Sequence, residues 1–203
     1  MRSIIAISAG LSDESTTKVL AERILAEVAK LDPEITVELV TLRDLAHDIT
    51  DATLTRFASK PLQSVYDKLA IADGIVAVTP IYKASYNGLF KSFFDAIEED
   101  VLTGKPVMVA ATGGTARHSL AIDYALRPLF AHMHAFVAPT GIFASPHDWG
   151  TDGSSALSKR IERAAGELVS MMTSGGTGRV FNDEIDLNSE TMLSIAMPDR
   201  KSD

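Results

Sequence analysis

The sequence predicts an α/β domain in which a parallel sheet is covered by helices on both faces. Two observations carry this. Short apolar runs alternate with stretches of helical periodicity along most of the chain, the β-α-β-α order of a parallel sheet. The first of the runs, Ser3–Ser8, is continuous and rich in isoleucine, as in a strand buried on both sides. A length of 203 residues suits one domain better than two and permits a substantial core.

The elements follow in order. After the first strand comes a polar loop over 9–15. Val19, Leu20, Ile24, Leu25, Val28 and Leu31 then recur at helical spacing and stop before Pro33. Ile35, Val37 and Leu39 alternate with more polar neighbours, which predicts a half-exposed edge strand. The stretch 41–60 reads as a long loop with a helical turn, its Asp44, Asp48 and Asp51 forming a solvated face. Pro61 opens a helix carrying Leu62, Val65 and Leu69. A third strand covers 75–79. A loop follows, then a helix with the stripe Tyr86, Leu89, Phe90, Phe93, Phe94 and Ile97, whose aromatic members suit core or dimer packing. A fourth strand covers 107–111. A helix over 117–134 is expected to kink at Pro128, and its His132 and His134, two apart, point to different sides and make a poor metal pair. A fifth strand spans 136–143 around Pro139, which favours an edge position. The last helix carries Leu157, Ile161, Ala164, Leu168 and Met172. Before it, the loop His147-Asp148-Trp149 covers a pocket or a subunit boundary, or Trp149 simply packs, the preferred reading.

Right-handed crossovers narrow the topology to a flavodoxin-like, five-stranded parallel sheet in the order 2-1-3-4-5. Residues 1–173 form that domain. The Gly- and Ser-rich start of 174–203 marks a tail that is either disordered or wrapped on a partner subunit.

Composition excludes several functions. With 19 basic and 27 acidic side chains the formal charge is −8, so no general attraction to nucleic acid or to anionic membrane is expected. The absence of cysteine removes disulfides, thiolate metal sites and cysteine nucleophiles. No apolar run is long enough to span a bilayer, and the apolar part of the N-terminus is too short for a signal peptide, so a cytoplasmic protein is expected.

In a doubly wound sheet, ligands sit beyond the carboxyl ends of the central strands. Three loops leave those ends. The first, 8–17, carries five hydroxyl side chains and Gly10 and leads into a helix N-terminus, where free N–H groups and the helix dipole favour a phosphate. Helix capping by Ser15 or Thr16 accounts for part of the same pattern. The loop lacks the Gly-Lys-Ser/Thr ending of a nucleotide P-loop and the three glycines of a dinucleotide fingerprint. The second loop, Thr79-Pro80-Ile81-Tyr82-Lys83-Ala84-Ser85-Tyr86-Asn87-Gly88, suits the cradling of a flat aromatic ring, or a simple helix entry. The third, Thr112-Gly113-Gly114-Thr115, lets backbone approach a ligand closely, or is only a turn.

The second loop with its continuation Leu89-Phe90-Lys91, Thr112-Gly113-Gly114 with His118, and Asp123-Tyr124-Ala125-Leu126-Arg127-Pro128-Leu129 resemble the NADPH-dependent FMN reductase family. The likeness covers roughly residues 3–143 and is closest to the flavin reductases of two-component monooxygenase systems of the alkanesulfonate type. The first loop departs from the family form, with Leu11 and Thr16 where a proline and an arginine are common.

The resemblance implies an enzyme that passes a hydride from NADPH or NADH to N5 of FMN and supplies reduced FMN to a monooxygenase. It implies that Ser8, Ser15, Thr16 and Thr17 hold the FMN phosphate, that Pro80, Ile81, Tyr82 and Lys83 line the isoalloxazine edge, and that Thr112, Gly113 and Gly114 close over its other side. It gives His118 a part in holding the loop or meeting the nicotinamide nucleotide, and Tyr124 a part in oligomer contacts and flavin release. The chemistry is the flavin's, so no catalytic side chain and no metal are expected. Lys83 either reinforces negative charge on the ring or is a solvated lysine. A homodimer or homotetramer is expected. The alternatives are a flavodoxin-type electron carrier and a quinone or azo reductase on the same scaffold.

Overall fold

Strand β1 (Ser3–Ser8) sits inside the sheet because it has no polar face to offer water. Ile5 and Ile7 point into one core, Ile4 and Ala6 into the other. The same alternation runs through β3 (Gly74–Tyr82) and β5 (Pro106–Thr112): Ile75, Ala77, Val107 and Val109 face one side, Val76, Val78, Met108 and Ala110 the other. The computed structural model describes residues 2–12, 14–98 and 100–173. The predicted tail, 174–203, lies outside the described residues.

Helices α1 (Thr16–Leu31) and α6 (Thr151–Thr173) cover one face of the sheet. The other face carries α2 (Ala46–Thr55), α3 (Lys60–Ile71), α4 (Gly88–Asp95) and α5 (Arg127–His132). The aromatic stripe of α4 belongs to that second core: Phe90 and Phe93 are fully buried, and Phe94 meets Phe130 of α5 edge-on at 5.0 Å.

The architecture is flavodoxin-like α/β, but the expectation of five strands in order 2-1-3-4-5 is corrected. The sheet has seven strands with the path β2-β1-β3-β5-β6, where β2 is Thr36–Thr41 and β6 is Phe136–Val137. One added strand is β4 (Ser85–Tyr86), which pairs antiparallel with the end of β3 inside the predicted loop. Lys83 and Ala84 have φ of 51° and 69°, so a two-residue turn of left-handed backbone folds the chain back. The other arises where the predicted fifth strand breaks. β6 pairs with the start of β5, and β7 (Ile142–Ala144) pairs with its end, separated by the segment holding Pro139.

Two helical expectations also change. The predicted loop 41–60 holds a short 3₁₀ turn, Leu42–Leu45, and the ten-residue helix α2. Leu42, Ile49 and Ala52 bury one face, while Thr50, Thr53 and Thr55 each bond the carbonyl four residues back at 2.8 Å. Those bonds settle polar side chains that in sequence signal a loop. The predicted helix 117–134 is broken into a 3₁₀ turn Ala116–His118, a π turn Ile122–Leu126 and α5. Pro128 has no N–H to give, and the chain adjusts just before it, the Arg127 N–H bonding the Ile122 carbonyl five residues back. His132 ends α5, and His134 is a left-handed residue at φ 57°, so the two do not share a helix.

The break at Pro139 is tied to α6 through Glu167, whose carboxylate accepts the Thr140 N–H at 2.7 Å and the Thr140 hydroxyl at 2.8 Å. Burial alone would raise this carboxyl's pKa, but the Thr140 bonds and Arg163 outweigh it and hold it below its ordinary value. A carboxylate lowered in the folded state stabilises fully above its unfolded pKa, and that contribution is lost as pH falls through the folded value. The urea midpoint is therefore expected to drop as pH falls below about 4.3, with a shallower slope for Glu167→Gln. Equal slopes in the two proteins would remove Glu167 as a source of acid sensitivity.

Candidate functional site

The three predicted loops meet over the carboxyl ends of β1, β3 and β5, around a cleft of about 480 Å³. The first enters α1 with Ser15 as its N-cap, the Lys18 N–H donating to Ser15 Oγ at 3.5 Å. Capping is thus one role of this serine. The turn is tight: a Cβ on Gly10 would stand 2.0 Å from Ser15 Oγ and 2.7 Å from Ser15 Cβ. Thr17 is buried, and its hydroxyl shares a 2.7 Å hydrogen bond with the Thr112 hydroxyl, joining the first loop to the third.

Asn87 joins the first loop to the second. Its Nδ2 donates to the Ala9 carbonyl at 2.7 Å, and its Oδ1 accepts the Phe90 N–H at 2.8 Å as the N-cap of α4. Its own N–H donates to Thr79 Oγ1 at 3.3 Å. One buried residue, through its side-chain amide and its backbone N–H, therefore ties the chain just after β1 to β3 and to the start of α4. The β3–β4 turn then presents Tyr82, 50% exposed, at the cleft.

In the third loop, Gly113 donates its N–H to the Ala144 carbonyl at 3.0 Å. A Cβ on Gly113 would stand 2.7 Å from Phe143 Cζ, whereas one on Gly114 would meet nothing within 4 Å. The first glycine lets the loop lie against β7, and the second leaves open backbone at the cleft.

Of the residues expected from sequence, Ser15, Thr16, Thr17, Pro80, Ile81, Tyr82, Thr112, Gly113 and Gly114 line this one cleft. Ser8, Lys83 and His118 are not in its wall. Ser8 is fully buried at the end of β1, Lys83 is exposed on the hairpin turn, and His118 packs beside Gly113. Sequence reasoning missed Asn87 and Pro146, and for Trp149 it preferred packing to pocket cover. The signal for Asn87 was its place as an N-cap before the stripe of α4. Pro146 and Trp149 follow a strand that the sequence shows only as two short apolar pairs around a proline.

Two features of the cleft fit a phosphorylated flat cofactor such as FMN. Gly114, in the cleft wall, carries no side chain and leaves its backbone open to a ligand. The N-terminus of the sixteen-residue α1 points at the hydroxyl-rich loop.

The sequence profile of the NADPH-dependent FMN reductases matches residues 2–150. The chain belongs to this family. Among its relatives is a protein named FMN reductase (NADPH) from Pseudomonas aeruginosa, 39% identical over 165 residues, covering 80% of this chain and 88% of that one. A protein named NADH-dependent FMN reductase SfnE, from Pseudomonas putida, is 38% identical over 168 residues, covering 82% and 90%. Among solved structures, an oxidoreductase from Corynebacterium diphtheriae superposes with a TM-score of 0.81 at 45% identity, over 86% of this chain and 98% of that chain. Apo NADH:FMN oxidoreductase EmoB superposes at 0.70 with 34% identity, over 81% and 89%. In this member of the FMN reductase family, the three loops line one cleft. No helix among its described residues is long and apolar enough to cross a membrane.

Proposed function

We propose that this chain is an NAD(P)H-dependent FMN reductase that hands reduced FMN to a flavin-dependent monooxygenase. The observation that carries the reading is the convergence of the hydroxyl-rich loop, the Pro80–Tyr82 loop and the Gly113-Gly114 loop on one cleft in a chain of this family. FMN, when bound, supplies the hydride acceptor. The chain's own work is binding and orientation. Ser15, Thr16 and Thr17, with the free N–H groups of α1, hold the phosphate by hydrogen bonds and helix dipole rather than by a cationic side chain, whereas Ser8, fully buried and outside the cleft wall, does not reach it. Pro80, Ile81 and Tyr82 would line the isoalloxazine edge, and Thr112, Gly113 and Gly114 would close over its other side. Residues that hold the ring still would lower the barrier by orientation. Lys83 acts as a solvated lysine on the turn, and His118 holds the third loop.

Purified protein with added FMN is expected to oxidise NADPH or NADH in steady state. No turnover with either nucleotide would reject the activity. Replacing Ser15 and Thr17 together with alanine is expected to weaken FMN binding several-fold more than riboflavin binding. Equal losses for the two flavins, measured by calorimetry, would remove these hydroxyls from the phosphate site.

The protein works in the cytoplasm as a homodimer or homotetramer. Leu120 and Tyr124, 58% and 79% exposed beyond the third loop, supply apolar surface for a subunit contact. Sedimentation showing only monomer at micromolar concentration would contradict the assembly.

A further inference from the structure

The cleft has a fourth wall, contributed by the 3₁₀ turn Pro146–Trp149 that follows β7. We propose that Trp149, the single tryptophan of the chain, is a flavin-contacting residue, and that Asp148 is the residue that positions it. The inference rests on the flavin reading of the cleft and adds a residue outside the three loops.

Packing alone does not account for how this turn is built. Trp149 is half-buried: it packs against the core beneath α1 and α6, and it also lines the cleft. The Arg23 guanidinium of α1 lies 5.7 Å from the centre of the indole, and Arg23 is itself bonded to Ser158 of α6 at 3.0 Å. Next to the indole, the Asp148 carboxylate accepts the Ser145 N–H at 2.9 Å and the Ser145 hydroxyl at 2.7 Å, and it pairs with Arg160 of α6.

Helix α6 is pressed directly on the turn. A Cβ on Gly153 would stand 2.2 Å from the His147 carbonyl oxygen and 2.8 Å from Asp148 Cα. Proline, capping carboxylate, ion pair and bare glycine thus all fix the backbone that carries one indole. Ala144, which accepts the Gly113 N–H, directly precedes Ser145, so the turn and the third loop share a foundation. A rigid aromatic plane at a cleft wall contributes contact area with little entropy to lose and excludes water from the ligand. At about 480 Å³ the cleft is near the lower end of small-molecule sites, so a flavin that fills it reaches this wall.

The test is FMN binding to the full chain by calorimetry, with thermal melting of each ligand-free variant as the control for folding. Trp149→Leu keeps an apolar body and removes the ring, and is expected to raise the Kd for FMN about tenfold. Trp149→Phe keeps a ring and is expected to stay within about threefold. Asp148→Asn alone is expected to raise the Kd several-fold. Added to Trp149→Leu in a double variant it should have little further effect, because it acts through the indole. A wild-type Kd in Trp149→Leu would overturn the contact. An equal effect of Asp148→Asn in both backgrounds would overturn the positioning role and leave a merely structural ion pair. If wild-type protein takes up no FMN, both this proposal and the flavin reading fall. If it binds FMN and Trp149→Leu binds it equally well, only this proposal falls.

Discussion

Gly10→Ala is expected to raise the Kd for FMN by about 10- to 100-fold, the strain of overpacking spent almost entirely at the phosphate end of the cleft. The new methyl would stand 2.0 Å from Ser15 Oγ and 2.7 Å from Ser15 Cβ, and 3.3 Å from Thr17 Cβ. A rotamer change removes the first conflict but not the second, since Cβ is fixed by the backbone. Relief therefore requires the loop to open or the first turn of α1 to shift. Either movement disturbs the N–H groups and hydroxyls proposed for the phosphate, and threatens the Thr17–Thr112 bond to the third loop. Riboflavin, without the phosphate, should suffer less. The measurement is calorimetry with both flavins, together with thermal melting of the ligand-free protein. A Gly10→Ala variant that binds FMN like the parent would show that the loop does not need to lie this close. Equal losses for FMN and riboflavin would place its damage away from the phosphate.

Gly10 also shows what was legible in the sequence. The three loops were placed correctly because each follows a strand buried on both faces, and such strands announce themselves as unbroken Ile, Val and Ala runs. Strand β2, with its polar alternation, was equally plain. What escaped was whatever depended on partners distant in sequence. The hairpin β4 is only two residues long and rests on left-handed Lys83 and Ala84, neither of which is a turn residue by propensity. Helix α2 hides behind threonines and aspartates that look like loop until Leu42, Ile49 and Ala52 find their core. Asn87 reads only as part of the second loop, and only the fold brings the Ala9 carbonyl, 78 positions away, to its amide. Trp149 reads as packing, and only the fold sets that packing at the edge of the cleft. Local chemistry announced the loops; the residues that lock them together carry no local signal.

Asn87 is where that distinction has the largest expected consequence for stability. The residue is buried, and both ends of its amide are used. Asn87→Ala removes the cap of α4, worth about 1 kcal/mol. It also strips the Ala9 carbonyl of its 2.7 Å donor in a place without ready access to water, which costs about 1–3 kcal/mol more. The sum, about 2–4 kcal/mol, should appear as a lower urea midpoint at unchanged slope. Asn87→Asp separates the two contributions. It keeps an oxygen to cap α4 but places a carboxylate oxygen against the Ala9 carbonyl, where an N–H had been. If capping were the whole role, the aspartate variant would be nearly as stable as the parent. If the bridge between the first two loops dominates, it should be as unstable as the alanine variant or worse. The second outcome follows from the geometry, because a carbonyl facing a carboxylate is repelled as well as unsatisfied. FMN binding should weaken alongside stability in both variants, since the same amide fixes the two loops proposed for the phosphate and the ring. An alanine variant within about 0.5 kcal/mol of the parent, the usual range for neutral surface changes, would show that the loops hold their places without it.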